Sequence, residues 1–157
     1  MKIERIWIKE YRLLFKSKRD GFRSKDFHSK CDNKSYTVSF VKSKEGRRFG
    51  GFTDVEWEQS DSWKKGSNGF IFSLDNNEIY YNKNSNYNIR CRRDFGPTFG
   101  GGLFGGHDFK ISDNCDINNN SYDNSGNSYD TKGREYALAG TYKFYVEDYE
   151  VYKIELE

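Results

Sequence analysis

Between Gly96 and Phe109 the chain reads Gly-Pro-Thr-Phe-Gly-Gly-Gly-Leu-Phe-Gly-Gly-His-Asp-Phe. This stretch holds the only proline of the chain and, from Gly100 to Gly106, five of its fifteen glycines. Glycine inside a helix costs about 1 kcal/mol relative to alanine, so no regular helix runs through it. The backbone is expected to follow an unusual path, where chain passes close to chain or to a partner. Two readings stand side by side: the glycines pack tightly under neighbouring aromatics, or they shape a surface that inserts into a partner. No Gly-Lys-Ser/Thr follows the run, so it is not a phosphate loop.

A chain of 157 residues is expected to form one domain, spanning 1–157, with a core of real size. Its material is aromatic: thirteen Phe, twelve Tyr and three Trp stand where aliphatic residues are scarce, and each buries a large area. The balanced net charge of +2 hides an asymmetry. Residues 2–30 carry ten Lys/Arg against four Asp/Glu, and residues 113–157 carry four against ten. This describes either two solvated faces or a polar molecule that docks electrostatically. Cys31, Cys91 and Cys115 are far apart, odd in number and without a Cys-x-x-Cys pair. With no signal-like apolar N-terminus, that usage fits a reducing, intracellular, cytoplasmic setting. No apolar run is long enough to span a membrane. The basic N-terminal third carries Trp7, Tyr11 and Phe15, but overall charge balance and the lack of a recognised module argue against nucleic acid.

Most segments read as strands. Ile3, Ile6 and Trp7 recur at helical spacing and predict a short amphipathic helix, while Tyr11–Phe15 predicts a buried strand. Lys18–Phe22 reads as a turn. Ser24 is placed to cap a helix running to Cys31, with Phe27 and Cys31 on one face. Alternation over 36–41 predicts a strand, as does Arg48–Phe52, where Gly50-Gly51 suggests a bulge or a close backbone approach. Residues 61–68, with Trp63, read as a polar loop, and Phe70–Leu74 and Ile79–Tyr81 as a hairpin. Residues 82–87 form a second polar loop. Ile89–Phe95 leads into the glycine stretch and Phe104–Ile111 leads out as a strand. The Asn/Asp/Ser-rich segment 113–135 is expected to be a long, partly disordered surface loop. At the C-terminus, Tyr142, Phe144, Val146, Tyr152, Ile154 and Leu156 keep one period-2 phase, with Asp148 and Glu150 splitting it into two strands. About eight short strands and one or two short helices predict a mainly β fold with minor α, a two-sheet antiparallel β-sandwich.

Ordered blocks run along nearly the whole chain, from about Trp7 to Leu156. They are Leu13-Leu14-Phe15, Ser17-Lys18-Arg19-Asp20-Gly21-Phe22, Phe27-His28, Cys31-Asp32, Phe49-Gly50-Gly51-Phe52, Trp57, Trp63, Phe70–Leu74, Gly96–Gly102, Asp108 and Val146–Val151. Together they resemble a TLDc domain of the oxidation-resistance type. The resemblance implies a β-sandwich flanked by helices and a role in resistance to oxidative stress. It also implies binding to the vacuolar-type proton ATPase, through subunits of its cytosolic sector, with regulation of that pump's assembly. The segment Leu103–Gly106 is an insert relative to many relatives. The residues matched as structural or binding positions are Asp20, Gly21, Gly50, Gly51, Gly96, Gly100, Gly101, Gly102 and Glu150. Gly21, Gly50 and Gly100 are expected to need positive φ.

For chemistry the sequence offers few groups. Cys91 lies between Arg90, Arg92 and Arg93, a setting that could lower a thiol pKa. His107 and Asp108 could form a base and its orienter, although neighbours on a strand point to opposite faces. His28 and Cys31 could share a helix face, against the plainer reading of a structural Cys and a surface His. Zinc-type ligand spacings are absent. Asp113, Asp116, Asp123 and Asp130 lack the calcium-loop pattern, so no metal and no cofactor is expected. A non-enzymatic interaction domain is therefore the leading expectation. The alternatives are a redox or hydrolytic enzyme using Cys91 or His107 with Asp108, and a scaffold subunit of a larger assembly.

Overall fold

Alternating side chains with turn residues every few positions build strands that each bury one face. The computed structural model describes residues 8–102 and 106–156, and within them the chain forms twelve strands, two short α-helices and a 3-10 turn at Ser85–Tyr87. The strands are β1 (Ile8–Lys16), β2 (Thr37–Ser43), β3 (Arg48–Thr53), β4 (Ser62–Lys64), β5 (Gly69–Ser73) and β6 (Glu78–Tyr81). They continue with β7 (Ile89–Cys91), β8 (Phe95–Phe99), β9 (Phe109–Ser112), β10 (Ser121–Asp123), β11 (Lys143–Phe144) and β12 (Val146–Leu156). The helices are α1 (Ser17–Asp20) and α2 (Ser24–Cys31). One sheet has the order β1-β12-β2-β3-β5-β6 and the other β11-β10-β9-β8-β7-β4, and every pairing within them is antiparallel. This is the expected mainly β sandwich.

The core lies between the sheets and is made of rings. Phe49 of the first sheet meets Phe109 (5.6 Å) and Phe144 (5.4 Å) of the second edge-on, and Phe99 stacks on Phe109 at 4.9 Å. Trp57 is fully buried against Phe27 and Phe99, and its indole N–H donates to Thr37 Oγ1 (2.9 Å). Such ring pairs add about 0.5–1.5 kcal/mol each beyond their area.

Several expectations change. Ile3, Ile6 and Trp7, and most of the Leu103–Gly106 insert, lie outside the described residues. The strand at Tyr11–Phe15 exists, but only its end is buried: Tyr11 is 74 % exposed and Phe15 fully buried. The turn at Lys18–Phe22 begins as the single helical turn α1. Arg23, not Ser24, occupies the cap of α2, where its N–H donates to Asp26 Oδ2 (3.0 Å), and Ser24 is buried. Trp63 belongs to β4 rather than to a loop. At the C-terminus β12 runs unbroken through Asp148 and Glu150. A register shift between Val146 and Asp148 moves the buried phase to Tyr149 and Val151.

The largest correction concerns 113–135. It contains β10 and is pulled inward: Asp123 and Tyr129 are fully buried, and the Tyr129 hydroxyl donates to Asn88 O (2.8 Å). The sequence charge asymmetry also resolves differently, because β1 and β12 are neighbours. Lys16 bonds Glu150 (2.8 Å) and Asp148, Lys42 bonds Glu147 (3.2 Å), and Arg23 faces Asp113 (3.8 Å). The basic and acidic ends meet and cancel much of each other locally.

Candidate functional site

The glycine stretch is where most of the expected residues converge. It opens as β8, with Gly96 packed 3.3 Å (measured from a Cβ built on its backbone) from the Ile111 side chain. It then leaves the sheet at Gly100, whose φ of +83° disfavours any residue with a Cβ. A Cβ built there would lie 1.9 Å from Asp108 Oδ1, so the close approach and the torsion both demand glycine. At Gly101 the Trp63 indole nitrogen would be 2.0 Å from such a Cβ. Gly102 has no comparably close neighbour. Gly96, Gly100 and Gly101 are thus closely packed, but only Gly101 lies against an aromatic ring; Gly96 meets Ile111 and Gly100 meets Asp108.

Asp108 is the group around which this corner closes. It is fully buried, and its carboxylate accepts backbone N–H bonds from Gly126 (3.2 Å), Asn127 (3.0 Å), Ser128 (2.8 Å) and Tyr129 (3.0 Å). Burial pushes its pKa up to about 6, and the four donors pull the other way. Asp123, at the end of β10, acts in the same way, accepting from the N–H groups of Leu138 (3.0 Å) and Ala139 (2.8 Å). Short polar residues in a long irregular segment thereby find partners for backbone groups that burial would otherwise strand.

His107 and Asp108 do not form a base and orienter. The His107 Nδ1–H donates to Gly100 O (3.0 Å), while Asp108 points to the 126–129 backbone. Burial, with Arg90, Lys110 and Arg92 nearby, lowers the His107 pKa to about 4. Cys91 does not meet the needs of a reactive thiol either. Arg90 pairs in register with Trp63 on the outer side of its sheet, whereas Cys91 is fully buried beneath it. Burial pushes that thiol up to about 12, and the Cys115 thiol likewise. The expected surface His28 is buried. Its Nδ1 meets Asp32 Oδ1 (2.6 Å) and its Nε2 meets the carbonyls of Arg92 (2.8 Å) and Phe95 (2.9 Å). Through these contacts with Asp32 and with the carbonyls of Arg92 and Phe95, the ring pins α2 to the start of β8.

The remaining matched residues are structural in their contacts. Gly21 has φ +120°, and a Cβ there would collide with Asp26 Oδ2. Asp20 accepts from Lys16 N–H (3.0 Å), and the Arg19 hydrogen bond helps hold its carboxyl below the ordinary range. Gly50 and Gly51 make no bulge and Gly50 does not need positive φ. They are hemmed in by the Ser39 carbonyl and the Phe99 ring respectively. Glu150 accepts from Lys16 and from the Tyr152 hydroxyl (2.8 Å), and Lys16 keeps its carboxyl low. Among the described residues no three His, Cys, Asp or Glu side chains are grouped to hold a metal, and no helix is long and apolar enough to cross a membrane. Sequence reading missed the Asp108 and Asp123 clamps and the His28 pin. The Asn/Ser-rich run 124–128, which follows Asp123 and supplies donors to Asp108, was the signal for the clamps.

A search of curated proteins finds no match. The family model described as the TLDc domain matches residues 3–155, and with that match across almost its whole length the chain belongs to the TLDc domain family.

Proposed function

We propose that this TLDc protein acts by binding, in oxidative-stress resistance, and that its partner is the cytosolic sector of the vacuolar-type proton ATPase. The observation that carries the reading is the disposal of its chemistry: Cys91 is buried with a raised pKa, and His107 and Asp108 are each consumed by backbone partners. What remains is a closely packed sandwich with glycine-shaped loops, suited to a surface role. Bound to one assembly state of the pump better than another, such a domain shifts the assembly equilibrium by that difference in affinity alone.

Affinity purification with the tagged protein from a lysate, followed by mass spectrometry, tests this. Enrichment of cytosolic-sector subunits is expected. In parallel, replacement of Cys31, Cys91 and Cys115 by serine in a variant shown to fold should leave peroxide resistance intact. Loss of resistance in that folded variant would favour direct thiol chemistry instead.

A further inference from the structure

The outer face of the second sheet carries side chains paired in register on either side of β8, where Thr98, opposite Lys110, is buried. Trp63 on β4 pairs with Arg90 on β7, Lys110 on β9 pairs with Tyr122 on β10, and Tyr122 pairs with Lys143 on β11. Cross-strand partners share a face, so these alternating rings and cations line up across the sheet. Phe95, at the start of β8, joins them: the Lys110 ammonium lies 4.9 Å from its ring centre and 5.0 Å from that of Tyr122. Tyr142 stacks on Tyr122 at 5.7 Å and extends the aromatic surface. At the other end the Arg90 guanidinium covers Trp63 at 4.0 Å.

The cations of this row differ in how they are balanced. Arg90 is paired with Asp61 (2.6 Å) and Arg92 with Asp94 (2.6 Å). Among the described residues, Lys110 and Lys143 have no carboxylate within ion-pair distance. Lys110 is also half-buried, and its nearest charged influences are Asp94, Arg92 and Lys143. An ammonium held between two rings and partly out of water gains more from a carboxylate than a solvated one does. The cancelled charges of β1 and β12 make the contrast plain, since here the positive charge is left over.

We propose that this face is a docking strip for an acidic peptide segment of a partner protein, anchored by a carboxylate on Lys110 and a second on Lys143, with Phe95, Tyr122 and Tyr142 as its apolar walls. The two lysines stand two strands apart, roughly 10 Å, and their long side chains reach carboxylates two residues apart, about 7 Å, on one face of an extended peptide. A nucleic acid fits less well: its affinity grows with the number of phosphates neutralised, and among the described cations of the row only Lys110 and Lys143 are uncommitted, beside the carboxylates of Asp61 and Asp94. The strip serves any partner that presents such a segment, whether or not that partner is the proton ATPase.

The test is fluorescence anisotropy with a short labelled peptide of alternating Glu and Ala carrying one Phe, beside its Gln counterpart, a uridine-rich RNA oligomer and inorganic phosphate as competitor. Saturable binding of the Glu peptide is expected, weakened by added salt and by the Gln replacement. The variant K110Q/K143Q should bind about tenfold more weakly, with K132Q on a distant loop unchanged. Absent binding, equal binding by the double variant, or binding of RNA without the peptide overturns the proposal. Should the double variant fail to fold, the lysine ammonium resonances of the wild type decide. Peptide-induced shifts confined to Lys110 and Lys143 support the site, and unmoved signals refute it.

Discussion

Two groups of carboxylates hold the ends of this molecule in place by opposite means. Asp108 is buried without a cation and is met by four backbone N–H groups. Asp148 and Glu150 are partly exposed and share the Lys16 ammonium, with Ser17 Oγ donating to Asp148 (2.6 Å). In the first case a side chain organises a loop that has no ladder of its own. In the second, ion pairs reinforce a strand pairing that the β1–β12 backbone bonds already make. The first arrangement is therefore indispensable and the second supplementary.

The contrast breaks most visibly at Asp108. Asp108→Leu leaves the N–H groups of Ser128 and Tyr129 buried, and those of Gly126 and Asn127 half-buried, without acceptors, at about 1–3 kcal/mol for each that stays dry. A loss of at least about 2 kcal/mol is expected, read as a lower urea midpoint or as failure to fold. A change below about 1 kcal/mol would show that water replaces the carboxylate and that the clamp is dispensable.

The pH response separates the two groups next. Burial raises Asp108 from 3.8 to about 6, so the stability linked to its proton is fully present below the ordinary carboxylate value and is lost as pH rises through about 6, while the N–H bonds its oxygens accept remain. Burial also opposes charge on Asp148, but Lys16, Ser17 and the Lys18 N–H outweigh it and lower its pKa. Glu150 is lowered first by the Lys16 hydrogen bond. Their contribution is present above the ordinary carboxylate range and is lost as pH falls through the folded values. Carbon-13 titration of the carboxyl groups should place Asp108 well above Asp148 and Glu150. Titration of Asp108 below 3.8 would mean that its four donors outweigh burial.

The smallest effect belongs to Lys16→Met. The Lys16 side chain is 33 % exposed, so solvent screens the pair, and a loss of about 1 kcal/mol or less is expected at neutral pH. That loss should shrink in strong salt and vanish in acid. A loss as large as that of Asp108→Leu would place the ion-pair cluster among the elements the fold requires.

Residue pattern alone made the sandwich, the 70–81 hairpin and the α2 helix legible, because strand alternation and turn residues act locally. The need for glycine at Gly21 and Gly100 was legible for the same reason. The burial of 113–135 was not, since its composition is that of a solvated loop and its partners are Asp108, Asn88 and the sheet edge. Nor was the fate of Cys91, which depends on which face of β7 it takes.

The sequence by itself determined the class of fold and the family, through aromatic alternation and ordered blocks spread over the whole chain. Only the tertiary structure decided which charges remain free. Lys16 and Arg23 lie among basic neighbours in sequence yet meet the acidic groups Asp148, Glu150 and Asp113 in space. Lys110 and Lys143 lie 33 positions apart in sequence yet flank one tyrosine on one face. Strand pairing sets such neighbourhoods, and it joins residues by register rather than by distance along the chain.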